Sequence, residues 1–165
     1  MEPGDIDAVY RWENDPAVWT YSAAHQPFSR HALQQFIDES SGSDIYTARQ
    51  LRLMADTVVT DSKPATTIGC IDLYDFDPYH RRAAIGLLVD SAQRGKGYGT
   101  AMLAELEVFA AEHLNLHQLH SIVAADNTQS IKLFTQAGYT KCGTLRDWMA
   151  SAQGWTDAFV FQKII

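Results

Sequence analysis

Apolar residues in the first part of the chain recur at the three-to-four-residue spacing of amphipathic helices. One apolar stripe begins after Asp5, which we predict to cap a first helix, and Pro16 ends it. A second stripe begins after Ser29 and runs through Ile37. The chain is therefore predicted to open with two helices.

The spacing then changes to the two-residue alternation of strands. Segments 50–60 and 66–73 predict two strands of a hairpin, joined by a turn cluster at 61–64. Residues 75–78 are predicted to break the second strand. The nearly all-apolar run 83–89 predicts a central strand that is buried on both faces.

Helix and strand patterns alternate in the rest of the chain. The predicted elements are a helix at 100–113, a strand at 119–125, a helix at 127–137 ended by Gly138, and strands at 139–145 and 157–164. This order predicts one α/β domain over residues 1–165, with a mixed sheet.

A glycine-rich loop, Gln93-Arg94-Gly95-Lys96-Gly97-Tyr98-Gly99-Thr100, joins the central strand to the next helix. Its three glycines let successive backbone N–H groups face one anion, and the helix start adds partial positive charge. Arg94 and Lys96 add formal charge. The loop fits neither the Walker nor the dinucleotide glycine pattern. It predicts a phosphate cradle, and a tight turn that uses glycine for geometry alone is the alternative.

Composition excludes several partner classes. Across 165 residues, 13 Lys and Arg stand against 20 Asp and Glu, a net charge of −7 that disfavours nucleic acid. We expect no membrane association, since no apolar run approaches a membrane span and the N-terminus lacks the features of a signal peptide. Cys70 and Cys142 lack a CxxC partner, which predicts a reduced, cytoplasmic protein.

Three histidines have spacing that resembles a metal site. His113, His117 and His120 follow one another closely, but the helix is predicted to end near Asn115, so the three would not share a face. We therefore expect capping or solvated histidines and no metal.

Arg94-x-x-Gly97-x-Gly99 resembles the Arg/Gln-x-x-Gly-x-Gly/Ala signature of the GCN5-related N-acetyltransferases (GNAT), whose loop amides bind the pyrophosphate of acetyl-CoA. Segments 117–120 and 126–139 resemble the second cofactor segment of that family. Segments 50–54 and 72–83 resemble the branch that holds spermidine N-acetyltransferases and ribosomal-protein N-terminal acetyltransferases. The resemblance spans nearly the whole chain from Asp5.

The resemblance implies the GNAT fold: a mixed, mostly antiparallel sheet with a splayed central parallel pair and about four helices. Relatives usually begin with a strand before the first helix, for which residues 1–3 leave no room. We therefore expect the sheet to lack that edge strand or the start to be truncated.

The resemblance also implies acetyl-CoA as co-substrate and direct attack by an amine in a ternary complex, without a metal. A backbone N–H near Leu88 or Val89 would polarise the acetyl carbonyl. The residues implied in cofactor binding are Leu87, Leu88, Val89, Arg94, Gly95, Lys96, Gly97, Tyr98, Gly99, Thr100, Asn127, Ser130 and Phe134.

Two positions depart from the family pattern. Phe134 stands where many relatives have a tyrosine that protonates the leaving thiolate, so it is expected only to pack against the pantetheine. Ala84 stands where many have a glutamate base. Asp75, Asp77 and His80 are then the candidate bases, and a purely turn-capping role is the alternative for the two aspartates.

Aromatic residues near both ends of the chain are candidates for the acceptor pocket, with core packing as the alternative. They are Trp12, Trp19, Tyr21, Phe28, Trp148 and Trp155.

Taken with the resemblance, these features predict an N-acetyltransferase for a primary amine, a polyamine or another small amine. Acetylation of a protein N-terminus is the alternative acceptor class. A catalytically idle acyl-CoA-binding module is the alternative of another kind. We expect a homodimer or a higher oligomer.

Overall fold

The computed structural model describes residues 1–22, 25–59, 64–151 and 154–165. Within these ranges the helices are α1 Ile6–Glu13, α2 Pro16–Trp19, α3 Arg30–Ser41, α4 Ile45–Ala48, α5 Tyr98–Glu112 and α6 Thr128–Gln136. The strands are β1 Leu51–Asp56, β2 Thr67–Asp77, β3 Arg82–Val89, β4 Gln118–Ala124, β5 Thr140–Ser151 and β6 Gly154–Ile164. These six described strands form one sheet in the order β1-β2-β3-β4-β6-β5.

The described strands pair antiparallel except at the centre of the sheet, where β3 and β4 run parallel. Their pairing begins at Arg82–Gln118 and ends at Ala84–His120. Beyond that point the two strands diverge while each keeps its antiparallel partner on the other side. The predicted mixed sheet with a splayed central parallel pair is thus confirmed.

The two predicted opening helices are present as α1 and α3. Ser29 caps α3, and its Oγ accepts a hydrogen bond from the Ala32 N–H at 3.1 Å. Asp5 precedes α1 without capping it, because its carboxylate accepts from the Glu2 N–H instead. In the described part of the chain, the first strand of the sheet follows α4.

Strand β2 continues where the sequence predicts a break. A bulge between Tyr74 and Asp77 absorbs the irregularity, and Asp75 adopts a left-handed φ of 49°. The Phe76 N–H donates to the Arg49 carbonyl at 3.1 Å, so the bulged part of β2 stays hydrogen-bonded to the segment just before β1. Strand β1 ends at Asp56, so the predicted strand 50–60 is wrong over residues 57–59. Residue 60 of that prediction and the predicted turn at 61–64 lie outside the described residues, except for residue 64.

Each face of the sheet packs against its own helices. The face under α5 and α6 holds the larger core, in which Leu103 and Leu106 pack with Ile85 and Leu119. On the opposite face, residues of α1 and α3 form a smaller cluster that includes Ile37. This division leaves the polar residues of β1 and β2 on the α1–α3 face.

Gly69 lies at a close approach of β2 to β3. The register of β2 against β1 shifts beside it, and Gly69 stands opposite Val89 of β3. A Cβ placed on Gly69 would lie 2.2 Å from the Leu88 carbonyl oxygen, a backbone atom that cannot move aside alone. The glycine therefore sets how closely the end of β3 lies against β2.

Replacing Gly69 with alanine should lower the free energy of unfolding by about 1–3 kcal/mol, because the added methyl overlaps backbone. Urea denaturation measures this effect. Gly143→Ala is the matched control within a strand, since its Cβ would meet Val160 only at 3.8 Å. Equal stability of the two variants would contradict the close approach at Gly69.

Candidate active site

A cleft of about 1010 Å³ is lined by residues 86–89 of β3, the part of that strand beyond its last pair with β4. At one end it is lined by the glycine-rich loop, the start of α5 and the start of α6. At the other end it is lined by α1, α3, β1 and β2. We call these the donor end and the acceptor end, after the acetyl donor and the amine acceptor that the sequence analysis leads us to expect.

The glycine-rich loop has the backbone geometry that an anion cradle requires. Gly95 and Gly97 have φ values of 77° and 83°, which L residues rarely adopt. Nothing lies within 4 Å of a Cβ built on either glycine, so the space before the loop is open. Helix α5 begins directly afterwards at Tyr98, with its first N–H groups at the donor end.

Most of the predicted cofactor-binding residues are brought together at the donor end. Those that line the cleft are Leu87, Leu88, Val89, Arg94, Gly95, Gly97, Tyr98, Gly99, Thr100, Asn127 and Ser130. Asn127 also caps α6, since its Oδ1 accepts from the Ser130 N–H at 3.1 Å. Gly99 lets α5 lie against α6, where an added Cβ would meet the Leu133 side chain at 3.3 Å.

Two predicted cofactor residues are placed elsewhere. Phe134 is 4% exposed and packs its ring against Tyr139 and Phe161 in the larger core, on the side of α6 that faces the sheet. Phe134 does not line the cleft, and its predicted contact with the cofactor stays a prediction. Lys96 is exposed, and its ammonium donates to Gln93 Oε1 at 2.8 Å.

The backbone N–H and C=O groups of β3 point alternately toward β2 and toward β4. Cys70 of β2 faces Leu88, and the Asp90 N–H donates to the Ile68 carbonyl at 2.9 Å. In an antiparallel ladder these alternate pairs are the hydrogen-bonded ones. The Leu88 N–H is therefore directed at Cys70 and bonded within the sheet.

The remaining backbone groups of β3 face the gap toward β4. The Ile85 carbonyl accepts from Ser121 Oγ at 3.0 Å, and the Val89 carbonyl accepts from Arg94 Nε at 3.1 Å. Residues 87 and 89 share this orientation, and the pairing with β4 has already ended. Of the two predicted oxyanion donors, Val89 is thus the one whose N–H faces the cleft.

The candidate bases on the β2–β3 turn lie away from the cleft. Asp75 is exposed at the bulge, and the exposed His80 packs edge-on against Tyr79. Asp77 accepts from the His80 backbone N–H at 2.9 Å, and this bond lowers the pKa of Asp77. Neither Asp75 nor His80 lines the cleft, so a role as base for either residue stays a prediction, while Asp77 caps the turn.

An ion cluster that the sequence analysis missed lies at the acceptor end. Arg52 binds both Asp72 oxygens, at 2.7 and 2.9 Å, and Glu13 Oε1 at 2.6 Å. Burial lowers the pKa of Arg52, but the hydrogen bond and charge of Asp72 outweigh it and raise that pKa above its usual value. Arg52 and Asp72 face each other across the predicted hairpin. Two opposite charges at paired strand positions were the signal from which the sequence could have predicted this contact.

Further carboxylate and aromatic groups complete the acceptor end. Glu39 lines it, with Trp12 and Tyr21 from the predicted aromatic set and Phe36 in addition. The Arg52 guanidinium lies 5.7 Å from the centre of the Phe36 ring. Trp148 and Trp155 are instead exposed on the β5–β6 hairpin.

Cys70 lines the cleft as an unreactive thiol. It is 4% exposed, and burial raises its pKa to about 12. The thiol is therefore protonated near neutral pH, and only a thiolate is an effective nucleophile. A covalent acyl-cysteine intermediate at this position is disfavoured.

The described residues contain neither a metal-site cluster nor a membrane-spanning helix. No group of three or more His, Cys, Asp or Glu in residues 1–22, 25–59, 64–151 and 154–165 has the arrangement of a metal site. Within the same ranges no helix has the length and apolarity to cross a membrane.

The two cysteines should differ in alkylation. At about pH 8, iodoacetamide should label exposed Cys142 and leave Cys70 free, since a pKa near 12 leaves roughly one Cys70 thiol in ten thousand ionised. Peptide mass spectrometry measures both sites, and denaturant should make both react. Labelling of Cys70 as fast as Cys142 in the folded protein would contradict the assigned burial.

The chain is similar to known acetyltransferases over most of its length. The family model of the acetyltransferase (GNAT) domain matches residues 1–140. Spermidine N(1)-acetyltransferase of Vibrio cholerae is 22% identical over 88% of this chain and 79% of its own. A putative ribosomal N-acetyltransferase of Bacillus subtilis, YdaF, is 32% identical over 48% of this chain and 43% of its own. The crystal structure of the Vibrio cholerae spermidine N-acetyltransferase with CoA and spermine superposes with a TM-score of 0.85 at 19% identity, covering 99% of this chain and 92% of that one.

Proposed function

The chain belongs to the acetyltransferase (GNAT) family, and from this premise we propose that it transfers the acetyl group of acetyl-CoA to a small primary amine. The observation that carries the proposal is the continuous cleft. It joins an anion cradle to an acidic acceptor end across a gap that exposes the Val89 N–H.

The donor end fits acetyl-CoA. The open space before Gly95 and Gly97, with the first N–H groups of α5, suits the pyrophosphate. Arg94 adds a positive charge beside it. The extended pantetheine would then lie in the gap between β3 and β4, and its thioester would reach Val89.

In the reaction, the neutral amine nitrogen attacks the thioester carbonyl carbon, and the carbonyl oxygen becomes an oxyanion. The Val89 N–H donates a hydrogen bond to that oxyanion. The C–S bond then breaks, and CoA leaves as the thiolate, which a thiol pKa of about 8.5 permits without a tyrosine acid. The amine gives up its protons before and after attack, and the carboxylates of Glu13, Glu39 and Asp72 are the candidate acceptors at this end.

The acceptor end favours a cation. Three carboxylates line it against the single charge of Arg52, which Glu13 and Asp72 already neutralise. Aromatic rings beside these carboxylates add favourable contacts for an ammonium group. The similarity to spermidine acetyltransferases supports a polyamine as the first acceptor to test.

A protein N-terminus is the second candidate acceptor, and the similarity to the putative ribosomal N-acetyltransferase favours it. An idle acyl-CoA-binding module is the remaining alternative, because Phe134 supplies no acid. A dimer and a cytoplasmic location remain predictions.

Release of free CoA from acetyl-CoA tests the proposal directly. The panel comprises spermidine, spermine, amino sugars, amino acids and peptides that begin with Ala or Ser. We expect release with polyamines and its loss in Gly97→Glu, whose carboxylate fills and repels the pyrophosphate cradle. Gly97→Ala is the matched control, since it shares the strain of a φ of 83° without the charge or the bulk.

The outcomes separate the alternatives. Release with peptides alone would assign the N-terminal acceptor. CoA binding without release for any amine would favour the idle module. Equal activity of Gly97→Glu and Gly97→Ala would contradict the assignment of the loop as the pyrophosphate site.

A further inference from the structure

Asp90 is a buried carboxylate that follows directly after Val89. It is 8% exposed and accepts three hydrogen bonds. Its Oδ2 accepts from Arg11 Nη2 at 2.7 Å and from Trp12 Nε1 at 2.9 Å, and its Oδ1 accepts from the Ala92 N–H at 3.0 Å. Neither the fold pattern nor the acceptor cluster requires this group.

Each carboxylate oxygen of Asp90 accepts hydrogen bonds from a segment that leads to a different end of the cleft. Oδ2 holds α1, which contributes Trp12 and Glu13 to the acceptor end. Oδ1 holds Ala92, in the short 3-10 turn Ser91–Gln93 that leads into the glycine-rich loop. One side chain thus bridges the acceptor wall and the donor loop.

The bridge also includes the end of β3. The Asp90 backbone N–H is bonded to the Ile68 carbonyl at 2.9 Å, so the residue is fixed to the sheet beside Val89. Directional hydrogen bonds to a buried carboxylate hold an angle as well as a distance, which apolar contacts do not. The hydrogen bond from Trp12 lowers the pKa of Asp90, so the carboxylate is ionised near neutral pH.

We propose that Asp90 is a positioning residue for acetyl transfer: its carboxylate couples the donor loop to α1 and so aligns the acceptor wall with Val89. The inference rests on the proposed function for its catalytic consequence. Its structural part, the coupling of the loop to α1, is independent of the acceptor's identity.

Asp90→Asn is the test variant, because asparagine keeps the size but has one oxygen and cannot accept on both sides. Asp7→Asn is the matched control. The substitution removes the ion pair between Asp7 of α1 and Arg30. The Asp7 side chain is 79% exposed, and the pair lies outside the cleft. If Asp90→Asn fails to fold, Trp12→Phe replaces it, since it keeps a ring and removes the N–H donor.

Hydrogen exchange is measured with and without CoA, because a loss of stability alone would not change which segments CoA protects. In the wild type and in Asp7→Asn, CoA should slow exchange in the loop 94–100 and also in α1. In Asp90→Asn it should slow exchange in the loop only. Slowing of α1 that survives in Asp90→Asn, or that is missing from the wild type, would overturn the coupling.

Kinetics tests the catalytic part. At saturating acetyl-CoA, Asp90→Asn should lose about tenfold or more in kcat with the best amine, as misaligned reactants do, while Asp7→Asn stays near the wild type. A wild-type kcat in Asp90→Asn would overturn the positioning role alone. A wild-type protein that binds CoA but acetylates no amine would refute the proposed function, and the exchange result would still decide the coupling.

Discussion

The divergence of β3 from β4 is the constraint on which the site depends. Parallel pairing ends at Ala84–His120. From there, the β3 backbone groups that point toward β4 have no paired strand in the described part of the chain. Elsewhere such groups would be costly, since buried N–H groups are almost always paired. Here the Ser121 hydroxyl bonds the Ile85 carbonyl, Arg94 bonds the Val89 carbonyl, and the cleft opens beyond them.

The contacts around the gap keep it open. Gly69 holds the end of β3 close against β2, and β6 holds β4 on the other side. The glycine-rich loop and α5 follow β3 without a long connection, so the anion cradle lies at the mouth of the gap. The two ends differ in charge: Arg94 and the α5 N-terminus at the donor end, and carboxylates at the acceptor end. The proposed anionic donor and the proposed cationic acceptor are each matched to one end.

The sequence predicted what depends on local chemistry. The glycine spacing of the loop predicted a backbone that only glycine adopts easily, in keeping with the left-handed φ values of Gly95 and Gly97, and Ser29 predicted the start of α3. It did not show what tertiary packing decides. Packing of α6 on the sheet places Phe134 in the larger core, and a bulge carries β2 past its predicted end and leaves Asp75 exposed. Glu13 joins Arg52 and Asp72 only when α1 packs on the hairpin, so no local motif marks the whole cluster, although the pairing of Arg52 with Asp72 follows from the strand register.

The most direct test of this account is amide exchange at Leu88 and Val89, resolved by NMR with and without acetyl-CoA. We expect slow exchange at Leu88 in both states, because its N–H is bonded to β2. At Val89 we expect faster exchange in the free protein and marked slowing when acetyl-CoA binds. Slow exchange at Val89 without acetyl-CoA, or no change when it binds, would contradict the assignment of its N–H as the donor that faces the thioester.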